Sequence, residues 1–176
     1  SRQFVVHGAD FSTRGAIASL AEMTRIALLK VIGRGEEKWK HAIAIQLRDG
    51  EAPMKTTFFH TPGGYRLQLD IYLGRGKPAG MERALMELLL IEYGLRARSG
   101  EPLSSLGVPP WLVEGMLESV RWKGGERERA LYDALFRKNE LYPVKKLLEI
   151  RRLGEMDSLT RVAFRASSGA LVMSLL

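Results

Sequence analysis

Three glutamates occupy positions where a carboxylate could do chemistry. Glu87 lies in an apolar helical stretch, and Glu114 and Glu118 lie one turn apart in a second helical segment. A carboxylate in an apolar helix costs free energy unless it is paired, and Arg83, one turn before Glu87, is a structural partner for it. Glu87 is also a candidate general base. Glu87 and Glu114 facing each other across a cleft could form the acid–base pair of a zinc-independent hydrolase.

Metal chemistry is poorly supported by the residue types present. The chain has no cysteine, and its three histidines, His7, His41 and His60, are scattered in the sequence. A catalytic zinc site needs about three protein ligands with an open position for water. Met86 could be a soft metal ligand, but no second soft donor lies near it. We therefore predict that the chain binds no metal and no other cofactor.

Two segments carry a resemblance to a known family. Residues 81–90 read Met-Glu-Arg-Ala-Leu-Met-Glu-Leu-Leu-Leu, and residues 109–118 read Pro-Pro-Trp-Leu-Val-Glu-Gly-Met-Leu-Glu. Over roughly residues 40–175 the chain resembles the gluzincins, which are thermolysin-like (peptidase MA-like) metallopeptidases. Their His-Glu-x-x-His helix supplies two zinc ligands and the base. A later helix, often Trp-Leu-x-Glu-Gly, supplies the third ligand.

The resemblance implies a degenerate gluzincin whose zinc site is lost. Met86 and Leu90 stand at the two histidine positions. Glu87 keeps the position of the base, and Glu114 keeps that of the third ligand, so both are vestigial candidates. The resemblance predicts that Met86, Leu90 and Glu114 surround one site, which the two apolar side chains fill.

A further departure from the family concerns the last helical segment. Many such domains place a tyrosine close to the active site there, and Arg165 or Phe164, depending on the register, takes its place in this chain. The hydroxyl donor to the transition state would then also be missing. Arg165 and Glu118 are further candidates for residues that line the cleft.

The periodicity of the sequence predicts an α+β fold, and the resemblance implies that its architecture is that of a thermolysin-like catalytic domain. We expect a small antiparallel or mixed sheet with a hairpin in the first half of the chain and helices in the second half. Both halves belong to one predicted domain, with a sheet-rich part at residues 1–78 and a helical part at residues 79–176. The predicted elements are a strand at Phe4–His7, a helix capped by Ser12 or Thr13 and running to about Val31, a strand at 41–47 with a tight turn at Asp49-Gly50, a hairpin of 56–60 with 65–73, helices near 80–98, 109–121, 126–138 and 157–175, and a short helix from Pro143.

The composition sets limits on the class of protein. With 176 residues, 45% of them hydrophobic, the chain can bury a core, and no apolar run approaches the roughly 20 residues that span a bilayer. The net charge of +7 favours an anionic partner. Basic residues alternate with acidic ones, as in Lys123-Gly124-Gly125-Glu126-Arg127-Glu128-Arg129, so nucleic-acid binding is disfavoured.

The ends and the cysteine content bear on processing and compartment. The chain begins with Ser1-Arg2-Gln3, close to a strand, and ends inside an apolar helical pattern, as expected of a domain excised from a longer protein. The lack of cysteine fits a cytosolic protein as well as an exported bacterial one. The resemblance favours a location outside the cytoplasm.

These observations lead to one hypothesis and two alternatives. The hypothesis is a catalytically inactive, metallopeptidase-like domain that serves as an interaction or scaffold module in a bacterial envelope protein, with a protein or peptide partner. The first alternative is the zinc-independent hydrolase that uses Glu87 and Glu114. The second is a basic module that binds nucleic acid or another anionic polymer.

Overall fold

The computed structural model describes residues 3–35, 42–61, 64–74, 80–96, 107–127, 129–154 and 156–176. His41, the hairpin tip at 62–63 and the predicted end of a helix at 97–98 lie outside these residues. The elements follow the predicted order. They are β1 (Phe4–His7), α1 (Phe11–Val31), β2 (Ile43–Asp49), β3 (Lys55–Thr61), β4 (Gly64–Leu73), α2 (Met81–Arg96), α3 (Pro110–Lys123), α4 (Arg129–Arg137), α5 (Val144–Glu149) and α6 (Ser158–Leu175).

The fold class is α+β, and the four-stranded sheet is mixed. Its strand order is β1-β2-β4-β3. β1, β2 and β4 run parallel, whereas β3 is antiparallel to β4. The 21 residues of α1 span about 30 Å, and a connection of this length allows β2 to run in the same direction as β1. The chain reverses direction once between β2 and β3 and again in the β3–β4 hairpin, which leaves β4 parallel to β2.

Asp49, predicted to form a tight turn with Gly50, is the last residue of β2. Gly50 has a φ of 114°, and the chain that follows it leads to β3, which lies at the outer edge of the sheet, whereas β2 pairs with β4. The inner position goes to the strand with the larger apolar face. Leu69 and Ile71 of β4 are buried opposite Ile45 and Leu47 of β2, whereas none of residues 55–59 in β3 is buried.

The start of α1 differs from the prediction. Its cap is Asp10 rather than Ser12 or Thr13: the Thr13 backbone N–H donates to Asp10 Oδ1 at 3.0 Å, and the Thr13 hydroxyl donates to Oδ2 at 2.6 Å. A carboxylate before the first turn accepts the N–H groups that the helix leaves unsatisfied. These two hydrogen bonds lower the pKa of Asp10.

The chain divides into two compact units. The first comprises Ser1–Leu29 and Arg34–Ser105, and the second comprises Lys30–Gly33 and Leu106–Leu176. The boundary falls after α2, so this helix belongs to the same unit as the sheet. The second unit contains α3, α4, α5 and α6.

Two helices of the second unit, α3 and α6, pack unusually closely. A Cβ atom at Gly115 of α3 would lie 2.5 Å from the carbonyl oxygen of Ser168 and 2.6 Å from Cγ2 of Val172, both on α6. Gly169 of α6 in turn faces the Cβ and Cγ atoms of Glu118. Glycine in both helices therefore allows the two backbones to approach.

A small aromatic and aliphatic cluster completes the second unit. The rings of Trp122 and Tyr132 meet edge to face with centroids 4.7 Å apart. The buried members of the cluster are Tyr132, Leu135, Ala163 and Ala166, with Trp122, Leu141 and Tyr142 packed against them.

The N-terminus of α6 is capped by Asp157, whose side chain accepts a hydrogen bond from the Thr160 backbone N–H at 2.9 Å.

The close helix packing gives a testable prediction. We expect Gly115→Ala to destabilise the protein by about 2 kcal/mol, because the added methyl group overlaps α6 and forces the helices apart. Gly94→Ala in α2 is the matched control, since nothing lies within 4 Å of a Cβ atom there. It should stabilise the helix by about 0.5–1 kcal/mol. Urea unfolding measures both, and equal effects would contradict close packing at Gly115.

Candidate functional site

The positions on α2 to which the resemblance assigns the histidine ligands and the base are occupied by core and ion-paired side chains. Met86 is 1% exposed and Leu90 is partly buried. Glu87 is not enclosed. Arg83 Nη1 lies 3.4 Å from Glu87 Oε2, and the two side chains are 37% and 31% exposed. The predicted pairing of Arg83 with Glu87 is confirmed, and this pair is a surface contact between successive turns of one helix.

The α3 glutamates are in a different environment. Glu114 and Glu118 are separated by one helical turn, so both project from the same side of α3, and both are buried. Glu114 is therefore not a solvent-facing residue. Gly115, which follows it, lets α6 come close enough to cover it. Trp111 of the same helix is only partly buried, whereas Val113 is fully enclosed.

Glu114 forms an ion pair with Arg165 of α6. Arg165 Nε donates to Glu114 Oε2 at 2.6 Å. The glutamate side chain is 1% exposed, whereas the arginine side chain is 33% exposed. Hydrogen bonds between two charged groups are short and strong. Two residues predicted separately, one as a vestigial ligand and one as a cleft residue, are thus brought into direct contact.

Glu118 lies at the centre of a larger network. The Tyr132 hydroxyl donates to Oε1 at 2.6 Å, and Arg127 Nη2 donates to Oε2 at 2.8 Å. Arg127 Nε lies 2.7 Å from Oε1 as an ion-pair contact without hydrogen-bond alignment. Arg121 Nη1 is 3.8 Å from Oε2. Glu118 is thus held by a hydroxyl group and by two guanidinium groups.

Arg127 and Tyr132 could not be predicted from the sequence as partners of Glu118. They lie 9 and 14 residues after Glu118, beyond the end of α3, so helical spacing does not connect them. Of the partners of Glu118, only Arg121 is on the same helix, at a spacing of three residues. The network depends on the packing of α4 against α3, which brings Tyr132 to Glu118, and helical spacing in the sequence does not predict that packing.

Arg165 and Phe164 of α6 have different surroundings. Arg165 is the residue that reaches Glu114, whereas Phe164 is fully buried and meets the Tyr142 ring edge to face with centroids 6.1 Å apart. A charged guanidinium group therefore lies beside Glu114 Oε2. The identification of this place with the tyrosine of gluzincins stays a prediction.

The remaining predicted residues are placed as follows. Met86 and Leu90 belong to the first unit and Glu114 to the second, so the predicted site that joins them stays a prediction. His7 is exposed on β1, and His60 lies on β3. Among the residues described, no three His, Asp or Glu side chains come together in a way that could hold a metal ion.

The arrangement in the second unit indicates a structural use of both carboxylates. A buried carboxylate requires a positive or hydrogen-bonding partner, and here each one has an arginine. Burial raises the pKa of Tyr132 well above the ordinary tyrosine value, and its hydrogen bond to the Glu118 carboxylate raises it further. Its hydroxyl group therefore stays protonated as a donor and is not a base.

Comparison with known proteins gives no match: no protein-family model, curated protein or solved structure is similar to this chain. In the described parts of the chain, no helix has both the length and the apolar character needed to span a membrane. The geometry of the chain's own side chains is therefore what supports a functional proposal.

The unequal burial of the Glu114–Arg165 pair gives a second prediction. We expect Arg165→Met to cost about 3–5 kcal/mol, because it leaves a buried carboxylate without this cation. Glu114→Gln should cost only about 1–2 kcal/mol, since the partly exposed arginine can turn to water. Denaturant unfolding of both variants tests the order.

The same substitution at an exposed pair serves as the control. Arg83→Met removes the partner of Glu87, which is 31% exposed, and we expect a change within about 0.5 kcal/mol. If Arg165→Met proved no more costly than Arg83→Met, Glu114 would not depend on its ion pair.

The environment of Tyr132 gives a third prediction. Its folded-state pKa is raised, so its contribution to stability is complete below the unfolded-state value of about 10 and is lost as the pH rises further. The difference in tyrosinate absorbance between the wild type and Tyr132→Phe isolates this hydroxyl group. We expect the difference to appear only well above pH 10 or together with alkaline unfolding. A midpoint at the ordinary tyrosine value would contradict the buried hydrogen bond to Glu118.

Proposed function

We propose that this chain is a non-catalytic, gluzincin-like domain that acts as a peptide- or protein-interaction module in a bacterial envelope protein. The observation that carries the proposal is the buried ion pair between Glu114 and Arg165. The carboxylate that would be the third zinc ligand is instead neutralised by a guanidinium group 2.6 Å away. An arginine at that distance opposes the binding of a cation.

Two further features support the loss of catalysis. The positions of the two histidine ligands hold a methionine and a leucine, which are poor or non-existent zinc ligands, and Met86 belongs to the core. The glutamate at the position of the base, Glu87, is paired with Arg83 on the surface of the first unit. The hydrolase alternative would need Glu114 as an acid or base, and its ion pair with Arg165 does not favour that role.

The order of elements supports the family resemblance. A sheet with a terminal hairpin is followed by the helix with Met86 and Leu90, then by the helix with Glu114, and then by further helices. Gluzincins share this order, so the mixed sheet with its hairpin and the helical second half are consistent with the proposal.

The exposed edge of the sheet is the interaction surface we propose. In the part of the chain that the structure describes, β3 pairs with β4 on one side and forms the end of the sheet. Phe58 and Phe59, on opposite faces of β3, are 38% and 47% exposed. An open strand edge pairs with extended peptides through backbone hydrogen bonds, and adjacent aromatic side chains add apolar contact.

The loss of metal chemistry is tested by elemental analysis and by restoring the histidines. We expect the purified protein to hold no stoichiometric zinc after dialysis and to cleave no peptide. Met86→His with Leu90→His should cost about 2–5 kcal/mol from lost packing and buried polarity and should not restore cleavage. Met86→Leu is the volume-conserving control and should cost less than about 1.5 kcal/mol. Robust cleavage by the histidine variant would contradict the proposal.

Peptide addition to β3 is tested with peptides selected by display on the full chain. We expect Phe58→Ser with Phe59→Ser to weaken binding about tenfold or more, because both aromatic contacts are removed. Phe11→Ser, at an exposed phenylalanine that starts α1, should leave the affinity unchanged. N-methylation of alternate peptide amides should abolish binding, because strand addition needs those donors. Binding that tolerates every N-methylated position would exclude this mode.

A further inference from the structure

The segment from the end of α4 to just past α5, residues 136–152, concentrates positive charge. It contains six basic and two acidic residues, Glu140 and Glu149, and therefore has a net charge of 6 − 2 = +4, compared with +7 for all 176 residues. All six basic side chains are exposed. They are Arg137, Lys138, Lys145, Lys146, Arg151 and Arg152.

Apolar side chains are exposed within the same segment. Phe136, the residue before the first of these basic pairs, is 60% exposed. Val144 and Leu148 of α5 are also exposed, and their i,i+4 spacing places them side by side on one face of the helix. Lys145, three residues before Leu148, is its neighbour on the helix surface. An exposed apolar patch bordered by polar side chains is typical of a surface that contacts a protein or a membrane.

The segment is attached firmly to the second unit. Leu147, on α5, is 1% exposed. Just before α5, Tyr142 packs against the core cluster, and its backbone N–H donates to the Ser167 hydroxyl at 2.9 Å. Val144 and Leu148 are therefore exposed on a helix that is packed against the second unit. Leu147 fixes one side of α5 in the core, Val144 and Leu148 lie beside that side, and Lys145 projects from the side away from it.

We propose that residues 136–152 form a docking surface for an anionic lipid bilayer. Clusters of four to eight lysines and arginines bind the negative surface of acidic lipids. Interleaved apolar side chains insert between the headgroups and add to that attraction. Nucleic acid would account for the charge but would gain little from the aliphatic Val144 and Leu148, whereas a bilayer uses both. The inference does not depend on the absence of catalysis or on peptide binding at β3.

The test is co-sedimentation of the full chain with vesicles of phosphatidylcholine alone and of phosphatidylcholine mixed with phosphatidylglycerol. We expect binding to the mixed vesicles to be at least about tenfold tighter and to weaken with added salt. Lys145→Glu with Lys146→Glu should weaken it by about tenfold or more. Val144→Ser with Leu148→Ser should also weaken it, by about tenfold, through lost insertion. All four positions are exposed, and circular dichroism verifies that the variants are folded.

A matched control separates this surface from the net charge of the protein. Lys55→Glu with Arg66→Glu makes the same change in charge at exposed positions of the sheet, and we expect it to leave vesicle binding within about twofold. An equal loss in this control would overturn the proposal, as would equal binding to both kinds of vesicle. Binding to a DNA duplex that is lost on the lysine substitutions but unaffected by the Val144 and Leu148 substitutions, without vesicle binding, would assign the surface to nucleic acid instead.

Discussion

The close contact between α3 and α6 is the constraint on which the helical unit depends. Gly115 leaves room for the backbone of α6 at Ser168, and Gly169 leaves room for the side chain of Glu118. Because the helices meet at this distance, the residues on either side of Gly115 are covered. Glu114 and Glu118 are therefore buried as a consequence of the packing, and their charges must be neutralised within the unit.

The charges of the two buried carboxylates, Glu114 and Glu118, are neutralised in different ways. Glu114 is neutralised across the helix interface by an arginine that keeps contact with water, so the pair is only half desolvated. Glu118 is enclosed by Arg127 and Tyr132, which reach it from the connection after α3 and from α4. Buried ion pairs contribute little to the free energy of unfolding in comparison with apolar packing, but loss of one partner is strongly destabilising because it leaves an uncompensated buried charge. This network therefore contributes mainly to the alignment of α4 and α6 on α3.

Local signals in the sequence predicted the local structure well. The hairpin was predicted from residues 56–60 and 65–73 on either side of Pro62-Gly63-Gly64, and the helix that is α3 was predicted near 109–121. The strand order was not predicted, because it depends on competition between elements. Asp49-Gly50 has the composition of a tight turn, but β4 buries a larger apolar face than β3 and takes the place beside β2. For the same reason the partners of Glu118 were missed, since they are distant in the sequence, whereas the pair of Arg83 and Glu87 on one helix was found.

The inner position of β4 has a consequence for how the protein folds during synthesis. β2 ends at Asp49, but the strand that completes its ladder ends only at Leu73. Until then, the newly made β3 is the nearest strand in sequence to the open edge of β2, and pairing between them would have to be undone before β4 could enter. The β3–β4 hairpin closes locally and quickly, which withdraws β3 from that competition. Synthesis adds only about 5–20 residues per second, so the time needed to make the chain from Asp49 to Leu73, rather than the closure of the hairpin, limits how long the edge of β2 is open to other chains.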